Sequence, residues 1–219
     1  LGCGPGNSTE LLVEAFSGAE IIGIDTSPAM LAAARKAQPY LAFEEGDLAT
    51  WSPPKPADLL FSNAALQWVP RHLDVMERLL RSLAPGGVLA VQMPNNLDEP
   101  SHRLMAEAAA AGPWAAKLAA AAAARDPLPA PEDYYRRLKP FCAMLDLWQT
   151  TYCHPLRGTA GIVDWLKTTG LRPYLAPLTA DEQSGFLAAY ETRLVQAYPK
   201  LDDAMVLLRF PRFFLVAQV

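Results

Sequence analysis

The sequence predicts an α/β fold in which a doubly wound, mostly parallel sheet carries a helical cap. Three observations support this prediction. A glycine-rich loop at the start of the chain passes directly into a helical pattern. Short apolar runs that end in polar residues then alternate with amphipathic helical segments. From residue 98 to about 139 there is no strand signal, and the sequence is helical and alanine-rich.

Composition limits the function classes that the chain can belong to. At 219 residues, 51% of them hydrophobic, it can bury the core of one domain. Its net charge of −4 provides no basic surface for nucleic acid. The three cysteines lack metal-ligand spacing and fit a reducing cytoplasm, and no apolar run is long enough to span a bilayer. We therefore expect a cytoplasmic protein whose partner is a small molecule, with no metal, membrane or nucleic acid; the sequence does not indicate an oligomeric state.

The beginning of the chain carries an expectation of its own. It has no initiator methionine, and the strand that should lead into Leu1 and Gly2 is absent. We therefore expect that an N-terminal segment is missing from this sequence.

The loop LGCGPG at residues 1–6 favours the binding of a nucleotide-like molecule. Glycines adopt positive φ and let a ligand approach the backbone closely, and the helix that follows directs free N–H groups at it. We expect Ser8 or Thr9 to cap that helix. A dinucleotide fingerprint would require a glycine where Asn7 stands, which counts against a nicotinamide dehydrogenase. A plain strand-to-helix turn is the alternative interpretation.

Acidic residues follow the next two predicted strands. The run 20–25 ends in Asp25, about 20 residues after the loop, where a carboxylate can accept hydrogen bonds from ribose hydroxyls. Ser27 is expected to cap a helix over 28–36, with Met30 facing either the ligand crevice or the core. The run 41–46 leads into Asp47 and Leu48, which could contact an adenine; the alternative for Asp47 is a turn cap.

The fourth predicted strand, 57–63, ends where a doubly wound sheet presents its reacting centre. Asn63 stands at this end, and its amide can orient a substrate but cannot act as a general base. Trp68 either forms a wall of the pocket or belongs to the core. A helix over 71–83 and a strand over 88–94 follow.

The remainder of the chain changes character. Residues 98–139 are predicted to be helical, 146–154 a strand, 158–169 and 179–197 helices, and 212–219 a closing strand. We predict one domain over 1–219, with a core of about 1–94, 145–154 and 205–219 and a helical cap of about 95–144 and 155–200.

Eight stretches together resemble one family of class I S-adenosylmethionine methyltransferases, the trans-aconitate 2-methyltransferases. They are LGCGPGNST, GIDTSPAM, EEGD, FSNAALQWVPRH, GGVLAVQMP, TTYCHPL, DWLKTTGLRPYL and FPRFFLVA. The first three fit many methyltransferases, whereas NAALQW, TTGLRPYL and FPRFFLVA are narrower, and together they cover nearly the whole chain. The resemblance implies a Rossmann-like sheet of seven strands and transfer of the methyl group of S-adenosylmethionine to one carboxylate of trans-aconitate.

The resemblance also implies a set of site residues. Those expected to bind the cofactor are Gly2, Cys3, Gly4, Gly6, Asp25, Thr26, Met30, Asp47, Leu48 and Asn63. Positioning at the reacting centre is expected from Asn63, Gln67 and Trp68, and no residue is expected to act as a general base.

Substrate contacts are predicted for Arg172, because a guanidinium binds carboxylates bidentately. Tyr135, His102 and His154 are further substrate candidates. A surface position is the alternative for Arg172, and a structural role is the alternative for each histidine. Two functional alternatives also stay open at this point: methylation of another small molecule, and a non-catalytic, S-adenosylmethionine-binding regulatory protein.

Overall fold

Helices and strands alternate through the first part of the chain in the computed structural model, which describes residues 1–219. The strands are β1 (Ile22–Asp25), β2 (Ala42–Glu45), β3 (Ala57–Asn63), β4 (Leu83–Pro94), β5 (Met144–Arg157) and β6 (Met205–Gln218). The helices are α1 (Asn7–Ala15), α2 (Pro28–Ala37), α3 (His72–Leu80), α4 (Pro100–Ala111), α5 (Ala115–Ala122), α6 (Pro131–Leu138), α7 (Gly158–Lys167), α8 (Arg172–Leu175) and α9 (Ala180–Ala197). None of these helices combines the length and apolar character needed to cross a membrane.

The strands form two sheets. β1 and β2 pair in parallel, and the second sheet has the order β3, β4, β6, β5. β3 and β4 are parallel, with Asn63 opposite Gln92. Gly86 N donates to Val219 O and Asn95 N to Pro211 O, so β6 runs antiparallel to β4. The α/β class is confirmed, whereas the predicted count of seven strands is not, because residues 1–219 form six.

The chain divides into two compact units, each with its own apolar core. Unit 1 comprises residues 1–94, 128–149 and 213–219, and unit 2 comprises 95–127 and 150–212. The core of unit 1 centres on Met76, Leu79 and Leu89, and that of unit 2 on Phe186 and Tyr190. Residues 128–144, which the sequence assigned to the cap, lie in unit 1. The organisation as one domain with a cap stays a prediction.

The helix ends show which capping residues can be predicted from the local sequence. Ser27 Oγ accepts a hydrogen bond from Met30 N, as predicted for the start of α2. At α9 the Thr179 side chain and Glu182 form a reciprocal capping box. The predicted cap of α1 by Ser8 or Thr9 is wrong. Gly6 occupies the N-cap position with φ of 97°, and no side chain caps this helix.

Candidate functional site

The glycine loop lies between β1 and β3. Leu1 N donates to Phe61 O of β3 at 2.8 Å, and Cys3 N donates to Ile24 O of β1 at 2.9 Å. A pocket that is open to solvent adjoins this segment and is lined in part by Cys3 and Asn63. The carboxylates of Asp25 and Asp47 do not line this pocket.

Two glycines of the loop differ in what surrounds them. Gly2 has φ of +63°, and a Cβ there would lie 2.2 Å from Ala65 Cβ. Gly4 has φ of +54°, but a Cβ there would have no protein atom within 4 Å. Gly2 is therefore required by packing against the segment after β3, whereas Gly4 faces open space that a ligand can fill.

Asp25, at the end of β1, is fixed by two backbone donors. Gly4 N donates to its Oδ2 at 2.8 Å, and Ser27 N donates to its Oδ1 at 2.9 Å. The carboxylate is half-buried, and each of its oxygens has a second lone pair. It can therefore accept hydrogen bonds from hydroxyl groups and keep the two bonds that hold it. The open space lies at Gly4, the residue that donates one of those bonds. These features fit a nucleoside cofactor. Its neighbour Thr26 is exposed, and Met30 is half-buried on the first turn of α2.

The predicted adenine contacts follow β2. Asp47 is exposed, and its Oδ1 accepts from Ala49 N, so it also forms the turn that was its alternative role. Leu48 is buried in the core of unit 1. Arg78 of α3 donates through Nη2 to Leu48 O at 2.7 Å and to Trp51 O at 3.2 Å. This helix therefore anchors the loop that carries Asp47.

The segment after β3 is held in an uncommon conformation. Asn63 is exposed, and its Nδ2 donates to Ser8 Oγ at 3.1 Å. Ala64 has φ of 55°, which is rare for a residue with a side chain. Gln67 is buried and donates through Nε2 to Ala64 O at 2.7 Å, and its Oε1 is buried without a hydrogen-bond partner. Such strain and an unsatisfied acceptor are typical of functional segments.

The structure also bears on the roles of Trp68 and of Cys3 in the glycine loop. Trp68 is 47% exposed, so the alternative that it belongs to the core is wrong. Burial raises the pKa of the Cys3 thiol, and the charge of Asp25 raises it further. The thiol therefore stays protonated at neutral pH and is a poor nucleophile.

The four predicted substrate contacts fall in both units. Tyr135 of α6, which is 50% exposed, belongs to unit 1. Arg172, His102 and His154 belong to unit 2. Arg172 begins α8 and is exposed, which agrees with the surface position that was its alternative. Burial, together with the charge of Arg125, lowers the pKa of His102 to about 4, so this imidazole is neutral at pH 7.

Sequence reasoning missed the contacts that depend on distant residues. Arg78 is 30 positions from Leu48, and Ser8 is 55 positions from Asn63. No local pattern in the sequence predicts either pair. Only the strand order of a doubly wound sheet, which brings the loops after successive strands together, could have suggested them. No group of three or more histidine, cysteine, aspartate or glutamate side chains is placed to hold a metal ion.

Comparison with known proteins identifies the fold and the family. The model of a family described as "Methyltransferase domain" matches residues 1–87. The solved YcgJ protein of Bacillus subtilis aligns with a TM-score of 0.60 at 13% identity, over 99% of this chain and 88% of that one. Phosphoethanolamine N-methyltransferase 2 of Haemonchus contortus, solved with S-adenosylhomocysteine, aligns with a TM-score of 0.56 at 17% identity, over 99% of this chain and 47% of that one. These two likenesses show the fold.

A curated relative defines the family more narrowly. The trans-aconitate 2-methyltransferase of Methylobacterium nodulans is 56% identical over 218 residues, which is 100% of this chain and 84% of the relative. The matched region covers the glycine loop, Asp25 and the segment after β3. The chain therefore belongs to the trans-aconitate 2-methyltransferase family and is an S-adenosylmethionine-dependent methyltransferase.

Proposed function

We propose that this enzyme esterifies one carboxylate of trans-aconitate, giving a monomethyl ester and S-adenosylhomocysteine. The observation that carries the proposal is the 56% identity, along the entire chain, to a relative of that name. The glycine loop, the fixed carboxylate of Asp25 and the strained segment after β3 support it, because hydrogen bonds join Gly4 to Asp25 and Asn63 to Ser8, so the proposed cofactor site adjoins the proposed reacting centre.

The bound cofactor supplies an electrophilic methyl group on a sulfonium. In this proposal Gly2, Cys3, Gly4 and Gly6 border its methionyl part. Asp25 and Thr26 take the ribose, and Asp47, with the side chains of Met30 and Leu48, takes the adenine. The backbone bonds to Gly4 and Ser27 already hold Asp25 in place, so binding does not have to order it.

The acceptor carboxylate needs no general base. A carboxylic acid with a pKa near 4 is ionised at neutral pH, so the protein has only to position it and exclude water. Asn63 and Gln67 carry amides, which donate and accept hydrogen bonds without titrating. We assign them the positioning of the acceptor, with the exposed Trp68 as a wall of the site.

The test is a reaction panel. The purified enzyme is incubated with S-adenosylmethionine and, separately, trans-aconitate, cis-aconitate, citrate or isocitrate, and mass spectrometry scores the methyl ester. We expect trans-aconitate to be esterified in preference to the other three. Asp25→Asn replaces one of the two acceptor oxygens by a donor, so we expect it to weaken S-adenosylhomocysteine binding. An enzyme that binds the cofactor but esterifies none of the four acids would contradict the proposed substrate.

A further inference from the structure

Gln38, which directly follows α2, carries a buried amide that no step of the proposed reaction uses. The residue is 4% exposed, and its Nε2 donates to Gly6 O at 2.9 Å. Its Oε1 is buried and has no hydrogen-bond partner. A buried acceptor without a partner costs folding free energy, and an apolar side chain of the same length would avoid that cost. The amide at this position therefore calls for a reason other than stability.

The hydrogen bond from Gln38 is not needed to satisfy the oxygen that accepts it. Glu10 N already donates to Gly6 O at 3.0 Å, in the first turn of α1. Removal of the amide would therefore leave no carbonyl without a donor. The second bond instead adds a link between elements, because it joins the end of α2 to the start of α1, across 32 positions of the sequence.

Gly6 in turn sets the shape of the glycine loop. Its N–H donates to Cys3 O at 3.1 Å and closes a four-residue turn that contains Gly4. Gly6 has φ of +97°, and a Cβ there would lie 3.1 Å from Gln38 Nε2 and 3.6 Å from Ala34 Cβ. The end of α2 therefore packs directly against this turn, and a glycine leaves room for the approach.

The loop is attached to α2 and its flanking residues at two points. Before the helix, Asp25 accepts from Gly4 N and from the N-cap residue Ser27. After the helix, Gln38 donates to Gly6 O. Gly4, which faces open space, is thus held by one attachment and lies two residues from the other. A loop that is fixed before a ligand arrives does not have to be ordered on binding, which favours affinity.

We propose that Gln38 is a positioning residue whose bond to Gly6 O holds the glycine loop in the conformation that binds S-adenosylmethionine. The amide acts through Gly6, and the inference rests on the proposed assignment of the glycine loop to the cofactor. Removal of the amide should therefore separate stability from affinity. The unpartnered Oε1 disappears, which favours folding, and the bond that fixes the loop disappears with it, which disfavours binding.

The test variant is Gln38→Met, which keeps the length of the side chain and removes both polar atoms. The matched control is Gln183→Met in unit 2, where Nε2 donates to Leu175 O at 2.9 Å and to Leu178 O at 3.2 Å. In calorimetric titration, Gln38→Met should raise the dissociation constant of S-adenosylhomocysteine about fivefold or more, with a melting temperature no lower than that of the wild type. Gln183→Met should lower the melting temperature and leave the dissociation constant unchanged.

Hydrogen exchange provides a readout that a purely structural role would not produce. Without cofactor, the peptide of residues 1–15 should exchange faster in Gln38→Met than in the wild type, whereas peptides of α3 should exchange at the wild-type rate. A wild-type dissociation constant in Gln38→Met overturns the inference, and so does an equal loss of affinity in Gln183→Met. If Gln38→Met does not fold, Gln38→Leu decides the outcome by the same criteria.

The titration uses no acceptor, so its outcome is separate from that of the reaction panel. Weaker binding in Gln38→Met, in an enzyme that esterifies none of the four acids, supports this inference and contradicts the proposed substrate. Unchanged affinity in Gly4→Ala overturns the assignment of the loop to the cofactor, and this inference with it. Weaker binding in Gly4→Ala with unchanged affinity in Gln38→Met overturns this inference alone.

Discussion

At the scale of single residues, the glycines show that positive φ and close packing are separate requirements. Gly4 and Gly18 both have positive φ, of +54° and +85°, and neither has a protein atom within 4 Å of a built Cβ. Gly4→Ala and Gly18→Ala should therefore lower the free energy of unfolding by similar amounts, about 1–2 kcal/mol each. Only the methyl group added by Gly4→Ala would enter the space that we assign to the cofactor. This variant alone should therefore weaken S-adenosylhomocysteine binding, about tenfold or more.

Urea unfolding and calorimetric titration of the two alanine variants provide this comparison. Equal loss of affinity in both would mean that backbone strain, not occupied space, controls binding. An unchanged affinity in Gly4→Ala would remove this glycine from the cofactor site. Gly2→Ala cannot make the same distinction, because its Cβ would collide with Ala65.

At the scale of elements, α3 holds the loop after β2. Both hydrogen bonds from Arg78 end on backbone carbonyls of that loop, at Leu48 and Trp51. Hydrogen bonds from a charged donor are worth roughly 1.5–3 kcal/mol, so Arg78→Gln should lower the free energy of unfolding by about 2 kcal/mol. It should also weaken S-adenosylhomocysteine binding, because Asp47 would no longer be held.

The matched control is Arg71→Gln. Arg71 directly precedes α3, but its side chain is 85% exposed and pairs with Asp74 at the surface, where ion pairs contribute about 0–1 kcal/mol. Chemical unfolding and titration calorimetry should show loss only in Arg78→Gln. If the affinity of that variant matched the wild type, the position of the loop would not depend on α3.

Elements also show what could be predicted from the sequence. β3 has the predicted bounds 57–63, because an apolar run between a proline-rich turn and Asn63 is a local pattern. β6 begins at Met205 rather than at 212, and β4 at Leu83 rather than at 88. Both extensions depend on pairing with strands far away in the sequence. The register of β3 against β4 places Ala57 opposite Leu83 and cannot be predicted from local periodicity.

The candidate site divides in the same way. The glycine loop was identifiable because its glycines pass directly into a helical pattern, and Asp25 because it ends a recognisable apolar strand. The bonds from Arg78 to the carbonyls of Leu48 and Trp51 were not, because these residues are 30 and 27 positions away in the sequence and only the fold brings them together. The strand–helix order therefore predicts the loop and the carboxylate that we assign to the cofactor, whereas contacts between residues far apart in the sequence depend on tertiary packing.

At the scale of the whole molecule, unit 2 should be more sensitive to acid than its surface charges alone would make it. His102 has a folded-state pKa of about 4, against an ordinary value of 6.5, because it is buried and near Arg125. Above pH 6.5 the imidazole is neutral in both states and contributes no pH dependence. Between pH 6.5 and 4 the unfolded chain binds a proton that the folded chain does not, so stability falls as pH falls.

The loss should reach about 3 kcal/mol once the pH is below the folded pKa, since each unit of pKa difference corresponds to about 1.4 kcal/mol. His102→Gln removes the titrating group, so its unfolding free energy should decline less steeply between pH 6.5 and 4 than that of the wild type. Hydrogen exchange followed by mass spectrometry can measure this on peptides of α4 and α9, which belong to unit 2 and contact each other. These peptides report on unit 2 directly. Identical slopes in variant and wild type would mean that His102 is protonated in the folded protein as readily as in the unfolded chain, and its burial would then not be the source of acid sensitivity.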